Sequence, residues 1–434
     1  MKYENHHTSP EQHYHFYEAI GSGTYSTVYR AEHLITHDIV AIKVIPKEKL
    51  RTKTEIALLK TEFYVCKKLD HPHIVHFFDA FEDDNYIYFV IENGERGEIS
   101  NSIQKGPLSE TRARIILVQI LSALDYLHNE VHIIHRDLKL ENIVLDHYHN
   151  VRIADFGLST FFDPDNPNLT HVVGSPAYVA PELVLHEPYS TPIDIWCVGV
   201  LLYTMTVGHL PFCGSNSDEL ARSIVYSNPN YPSFISLSLR DLLSHILDKN
   251  PQKRYNIAQI RDHPWCSYVP LNLNSFRITP NQDNPNLDPT ILEQMHSLSV
   301  DTTNLPEIIA RVGITRESAI YRILKTHKIS QILSSYESSL HNSVSISNYE
   351  KSFQSFVEFT PNGSLLPGER EKEKKTENIK VPLKRMSKTL YISDESYKKY
   401  PLPKIPFSFS EKYEQKNTTD FCEDHSDLLS LFDH

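Results

Sequence analysis

The eight residues HRDLKLEN, His135–Asn142, decide how this chain is read. They place two carboxylates (Asp137, Glu141), two cations (Arg136, Lys139) and the carboxamide of Asn142 in one short run. Burying an unpaired ion is costly, so charges this dense belong on a surface or at a site that supplies partners. Yet the run follows an apolar helix-like segment and leads into the apolar stretch NIVL. Polar chemistry set between two elements that read as buried is the pattern of a site.

The 434 residues are enough for roughly two to three domains. A net charge of −12 argues against a nucleic-acid or anionic-membrane partner and suits basic peptides. The five cysteines, Cys66, Cys197, Cys213, Cys266 and Cys422, are scattered and form no CxxC pair. Neither a disulfide framework nor a zinc knuckle is indicated, and a reducing compartment is the simplest home. A cytoplasmic location is expected, with the nucleus left open. The N-terminal stretch has no apolar run that could serve as a signal peptide, and no run of 18 apolar residues spans a bilayer. His6, His7, His13 and His15 invite a metal reading, but no carboxylate or cysteine completes a ligand set, so a solvated tail is expected.

Residues 16–91 read as short β-type runs around one helix. IVAIKVI (39–45) and YIYFVI (86–91) are strand-like. In 52–69, Ile56, Leu59, Phe63 and Cys66 recur at helical spacing. From about 108 helices dominate, the first opening on Ser109 as a plausible N-cap. A small β-rich lobe joined to a larger helical lobe follows, and ligands favour such clefts. Residues 267–287, rich in Pro and Asn, read as a linker. Apolar residues at helical spacing then predict three short helices in 288–328. The Ser- and Lys/Glu-rich remainder, 329–434, is expected to be mostly disordered, as are residues 1–15. The final DHSDLLSLFDH reads as a frayed end rather than a docking helix.

Other constellations accompany the opening octet. GSGTYSTV (21–28) is a glycine-rich turn between β-type runs. It lacks the GK[ST] ending of a Walker loop and the βαβ rhythm of a dinucleotide-binding unit. Lys43 stands inside the apolar VAIKV, an expensive position unless an anion waits for it, and Glu62 on the following helix is a candidate partner. VRIADFGLS (151–159) ends an apolar strand with Asp155, and GSPAYVAPE (174–182) closes the segment.

In this order and spacing, these motifs resemble those of eukaryotic protein kinases, over about residues 16–266. The resemblance implies an α+β bilobal fold, ATP and Mg²⁺, and transfer of the γ-phosphate to Ser/Thr hydroxyls of protein substrates. Gly21, Ser22 and Gly23 would let the backbone close over the phosphates, with Ser26 where the family has a third glycine. Lys43 would hold the α- and β-phosphates, oriented by Glu62. Asn142 and Asp155 would bind Mg²⁺ through oxygen. Asp137 would orient the acceptor hydroxyl, and Lys139 would steady the γ-phosphate. Ile91 falls at the gatekeeper position, and Glu92–Gly94 at the hinge that meets adenine. Val28, Ala41 and Val144 would sandwich the purine. Glu98 and Glu141 resemble positions that read arginines upstream of the acceptor; the bland alternative is a solvated face. Glu182 would pair with Arg254, and Asp194 would brace the catalytic loop. A non-catalytic scaffold is the alternative, disfavoured because Lys43, Asp137 and Asp155 are all present.

DFGLS and GSPAYVAPE further resemble the calcium/calmodulin-dependent and AMP-activated group. The unit at 288–328 resembles the ubiquitin-associated-like domain of AMP-activated-type and Nim/brain-selective-type kinases. No basic amphipathic helix follows the catalytic region to suggest calmodulin binding. Arg136 implies control by a phosphate on the activation segment. The family's threonine position holds His171, which makes Thr170, one residue earlier, the candidate for an upstream kinase.

Overall fold

The structure, a computed structural model, describes residues 9–23, 25–266, 287–311 and 313–343. Strands β1 (Tyr14–Ser22) and β2 (Thr27–His33) form a hairpin through the glycine turn, pairing Gly21 with Val28 and Ser22 with Thr27. Next comes β3 (Ile39–Pro46), then helix α1 (Lys53–Lys68), which starts at a capping box of Thr52 and Glu55. Then β4 (Phe77–Glu82) and β5 (Tyr86–Glu92) complete an antiparallel sheet in the order β1-β2-β3-β5-β4.

Alternation along β3 divides this sheet into two faces. Lys43 lies opposite Val28 and Phe89, and Ala41 opposite Ile91, so these side chains share a face. On it, Phe89 and Ile91 pack with Leu59 and Phe63 of α1. The opposite face carries Val40, Ile42, Val90, Tyr14, Phe78 and Phe81.

The helical lobe is introduced by β6 (Gly97–Glu98), α2 (Ile99–Ile103) and α3 (Glu110–Asp125), whose N-cap is Ser109. Short strands β7 (Ile133–Ile134), β8 (Ile143–Leu145), β9 (Val151–Ile153) and β10 (Thr160–Phe161) form two small sheets, β6-β8-β9 and β10-β7. Helices α4 (Pro181–Val184), α5 (Pro192–Val207), α6 (Ser217–Tyr226), α7 (Leu237–Ile246) and α8 (Ile257–Asp262) follow. Every residue of α5 from Ile193 onward is buried, as expected of a helix apolar on all sides. It carries the lobe's single core together with α3 and α7.

Three further helices, α9 (Pro289–Ser297), α10 (Leu305–Ala310) and α11 (Arg316–Ser343), share a small core of Ile291, Met295, Leu305, Ile309, Ile320 and Tyr321. This unit does not stand apart. Ile323 of α11 packs into the free face of the five-stranded sheet beside Phe78 and Val90, a burial that contributes about 2–3 kcal/mol. The Lys325 ammonium lies 3.0 Å from the Asp70 carboxylate, and Arg322 donates to the Phe78 carbonyl at 3.4 Å. The sheet is thus covered by α1 on one side and α11 on the other.

Two sequence boundaries are corrected and one strand is added. Order begins before residue 16: Tyr14 is 1% exposed, and its ring packs edge-on to Phe81, a partner too distant in sequence to be read locally. The third helix of the C-terminal unit does not stop at 328 but runs to Ser343. It is longer because Ile329, Ser330 and Leu333 are buried, giving the extra turns something to pack against. Strand β4 went unread because all six of its residues are buried, so no polar alternation marks it. His13 and His15 belong to the folded part, His13 stacking on Phe81, and no cluster of three or more His, Cys, Asp or Glu side chains that could hold a metal ion occurs among the described residues. The linker to 286 and everything after 343, with the terminal DHSDLLSLFDH, lie outside the described residues.

Candidate active site

Between the two lobes, β3 presents Lys43, whose ammonium donates to the Glu62 carboxylate of α1. Burial alone would push the lysine toward neutrality, but the carboxylates of Glu62 and Asp155 outweigh it and hold its pKa above the ordinary value. Asp155 follows β9 with a positive φ of 61°, an uncommon conformation for a residue with a β-carbon. Burial would raise its pKa, but the Lys43 charge and the Gly157 amide hold it below the carboxylate range. A β-carbon placed on Gly157 would sit 3.3 Å from Asp155 Oδ1 and 3.5 Å from Glu62 Oε2, so the three groups close on one point.

The β8–β9 hairpin sets the second half of the site. Its register pairs Ile143 with Ile153, and the Ala154 amide donates to the Asn142 carbonyl at 2.8 Å, so Asn142 and Asp155 emerge side by side. Asn142 Nδ2 donates to the Asp137 carbonyl at 2.9 Å and reaches Asp137 Oδ2 at 3.3 Å. Asp137 is further held by Lys139 Nζ, 2.7 Å from Oδ2, and by the Ser175 amide and hydroxyl, which donate to Oδ1 at 2.9 and 2.8 Å. His135 joins the two halves: its Nδ1 accepts from the Asp137 amide at 3.3 Å and its Nε2 donates to the Ala154 carbonyl at 3.3 Å. Burial lowers its pKa, which keeps the ring neutral in that bridging form.

The loop itself is anchored from below. Asp194, fully buried in α5, accepts from the amides of His135 and Arg136 and from His128 Nε2, each at 2.9 Å. Glu182 and Arg254 make a two-pronged buried pair at 2.7 and 2.9 Å. Gly174 lies so close to the loop, at φ 110°, that a β-carbon would stand 2.7 Å from the Arg136 carbonyl.

Val28, Ala41 and Ile91 share the Lys43 face of the sheet. A β-carbon on Gly94 would lie 2.6 Å from Val144 Cβ, so only glycine lets the hinge pass this close. The Glu92 side chain turns away from the cleft toward Arg152 and His76. Gly21, Ser22 and Gly23 are exposed at the hairpin turn, where the Gly23 amide donates to the Ser26 carbonyl at 2.8 Å. Glu98 is half-buried and accepts from the Ser100 hydroxyl; Glu141 is exposed.

Two groups were missed from sequence. Ser175 lies inside the quoted GSPAYVAPE, but only the fold brings its hydroxyl to Asp137. Tyr189 is the other. The sequence reading aims the Arg136 guanidinium at a phosphorylated Thr170; in the unphosphorylated chain Arg136 donates to the Leu158 carbonyl at 2.6 Å and the Tyr189 hydroxyl at 3.3 Å. That hydroxyl in turn donates to the His171 carbonyl at 2.6 Å, while Thr170 is exposed.

A family model described as Protein kinase domain matches residues 14–266. The chain is 34% identical over 367 residues to the serine/threonine-protein kinase SIK2 of Gallus gallus, covering 81% of this chain and 46% of that protein. It is 37% identical over 273 residues to NUAK family SNF1-like kinase 1 of Homo sapiens, covering 62% of this chain and 40% of that protein. It is 36% identical over 270 residues to CBL-interacting protein kinase 5 of Oryza sativa subsp. japonica, covering 61% of this chain and 58% of that protein. The chain therefore spans less than half the length of the SIK and NUAK relatives.

Proposed function

Because the chain belongs to the protein kinase family, in its AMP-activated-kinase-like serine/threonine group, we propose that it transfers the γ-phosphoryl group of ATP to serine and threonine hydroxyls of proteins. The family implies ATP as substrate and usually magnesium as cofactor. The observation that carries the reading is the closure of Lys43–Glu62, Asp155, Asn142 and Asp137–Lys139 on one cleft.

The donor set suits magnesium. Asn142 spends its amide nitrogen on Asp137, so its oxygen remains to meet a cation. Together with the ionised Asp155 it provides two hard oxygen donors. When bound, the ion would neutralise charge on the phosphates.

Phosphoryl transfer gains little from covalent help, so the chain's own groups act by position and charge. Lys43, kept cationic by Glu62 and Asp155, grips the phosphates nearest the sugar. Asp137 has one oxygen fixed by Ser175 and the other by Lys139, which aims the carboxylate at an incoming hydroxyl and lets it take that proton. Lys139, between Asp137 and the cleft, meets the charge on the transferring group. Glu98 and Glu141 at the mouth favour substrates with arginine upstream of the acceptor.

The test is phosphorylation of a peptide array by the purified full chain, with Lys43→Met as control. Labelling of arginine-containing Ser/Thr peptides that vanishes in Lys43→Met supports the reading. Labelling that survives in the variant, or none with either protein, rejects it.

A further inference from the structure

Tyr189 follows helix α4 and is buried. Its backbone pairs with Leu169 in both directions, each amide donating to the other's carbonyl at 2.9 Å. Its hydroxyl lies between two partners from other parts of the site. It donates to the His171 carbonyl at 2.6 Å and accepts from Arg136 Nη1 at 3.3 Å. One buried side chain therefore joins the stretch 169–171 to the loop that carries Asp137.

Both ends of that link lead to the reacting groups. Arg136 adjoins Asp137, has a positive φ of 66°, and is fixed by Asp194, which accepts its amide at 2.9 Å. A backbone conformation this uncommon persists only where its neighbours over-determine it. From His171 the chain runs to Gly174, packed against the Arg136 carbonyl, and on to Ser175, whose amide and hydroxyl hold Asp137 Oδ1. Fixing 169–171 against Arg136 thus fixes the approach of Ser175 to Asp137.

Charge distribution supplies an independent observation. A phosphate brings roughly −1.5 to −2 of charge and orders a loop by meeting a group of cations. Residues 153–221 contain no lysine or arginine, and Asp163 and Asp165 stand shortly before Thr170. Lys68 of α1 meets the segment at Phe161, its ammonium 5.3 Å from the ring centroid. The segment offers a phosphate no lysine or arginine of its own, and the Arg136 guanidinium already donates to Leu158 and Tyr189.

We propose that Tyr189 is a positioning residue that does in this chain what a phosphate on the segment would do. Its hydroxyl holds Arg136 and the 169–171 stretch in the arrangement that lets Ser175 aim Asp137, so transfer does not require phosphorylation of Thr170. That consequence for transfer rests on the kinase reading; the anchor itself does not.

The full chain is dephosphorylated with a phosphatase, checked by intact mass, and compared with Thr170→Ala and with Tyr189→Phe, which keeps the buried ring and loses only the hydroxyl. Amide exchange is measured together with the KM values for ATP and for an arginine-containing Ser/Thr peptide. The dephosphorylated protein and Thr170→Ala should keep their activity. Tyr189→Phe should exchange faster at 169–175 before any helix of the lobe, and its peptide KM should rise about tenfold with the ATP KM unchanged. A side chain that only stabilised the fold would lower the unfolding midpoint without splitting the two KM values. Activity lost on dephosphorylation and regained only when Thr170 is rephosphorylated would overturn the proposal. So would Tyr189→Phe matching the parent in exchange and peptide KM, or exchanging faster uniformly along the chain. Absence of labelling by every protein would reject the kinase reading, and the exchange comparison would still decide the anchor.

Discussion

In front of the hinge, Lys43 and Lys139 hold Glu62 and Asp137 while keeping partial access to solvent; behind it, Arg152, Glu92, His76 and Asp146 are paired with one another and sealed. The lysines of the cleft keep side-chain exposures of 19% and 23%, whereas Arg152 has none and Glu92 has 7%. The rear network runs from Lys325 and Asp70 through His76, which sits 2.9 Å from Glu92, to Arg152, Asp146 and the Ser330 hydroxyl of α11. Charges destined for a ligand must remain available, so the fold leaves them partly hydrated. Charges that only bind each other must be fully satisfied, because a buried ion without a partner is ruinous. The contrast makes the front a functional device and the rear a structural clamp between the lobes and the C-terminal helix.

The largest effect separates the two at once. Asp137→Asn should cut phosphoryl transfer by about 10³-fold while leaving the denaturation midpoint nearly unchanged; a variant of near-normal activity would break the division. The reverse is expected of Arg152→Ala. It strands Glu92 and Asp146 and should cost about 3–5 kcal/mol of stability, read by urea unfolding. A loss below about 1 kcal/mol would mean that water replaces the guanidinium and that the clamp is not dry.

Acid titration sharpens the comparison. Burial would raise the Glu92 pKa, but Arg152 and His76 hold it down to about 2. A carboxylate depressed in the folded state contributes stability that is complete above its ordinary range, near 4.5, and is lost as pH falls toward 2. Glu92→Gln should therefore flatten the stability curve over that window; an unchanged slope would assign the acid sensitivity elsewhere. The smallest effect is Ser330→Ala. Its hydroxyl accepts from Arg152 at 2.6 Å, and its loss should cost about 1–2 kcal/mol. Amide exchange should rise in α11 before any other helix, and uniform acceleration throughout the chain would contradict a local clamp.

The same division explains which features could be read early. HRDLKLEN, VAIKV and VRIADFGLS each carry their chemistry within a few residues, so type and spacing located the cleft groups. The strands at 39 and 86, the helix at 53 and the cap at Ser109 followed from periodicity and local hydrogen bonding. Arg152 was quoted in VRIADFGLS yet assigned nothing, because its partners Glu92 and Ser330 stand 60 and 178 residues away. Strand β4 was overlooked for a related reason: both of its faces are covered, one by the nearby α1 and the other by α11, more than 230 residues on.

The amino-acid sequence by itself determined the order of the lobes and the identity of the cleft's charged groups, since local spacing carries that information. Only the tertiary structure decided that Ser175 grips Asp137, that Tyr189 occupies Arg136, and that α11 closes the back of the sheet. Those outcomes rest on burial and pairing between residues far apart in the chain, and no local pattern records which distant surface will exclude water from a given face.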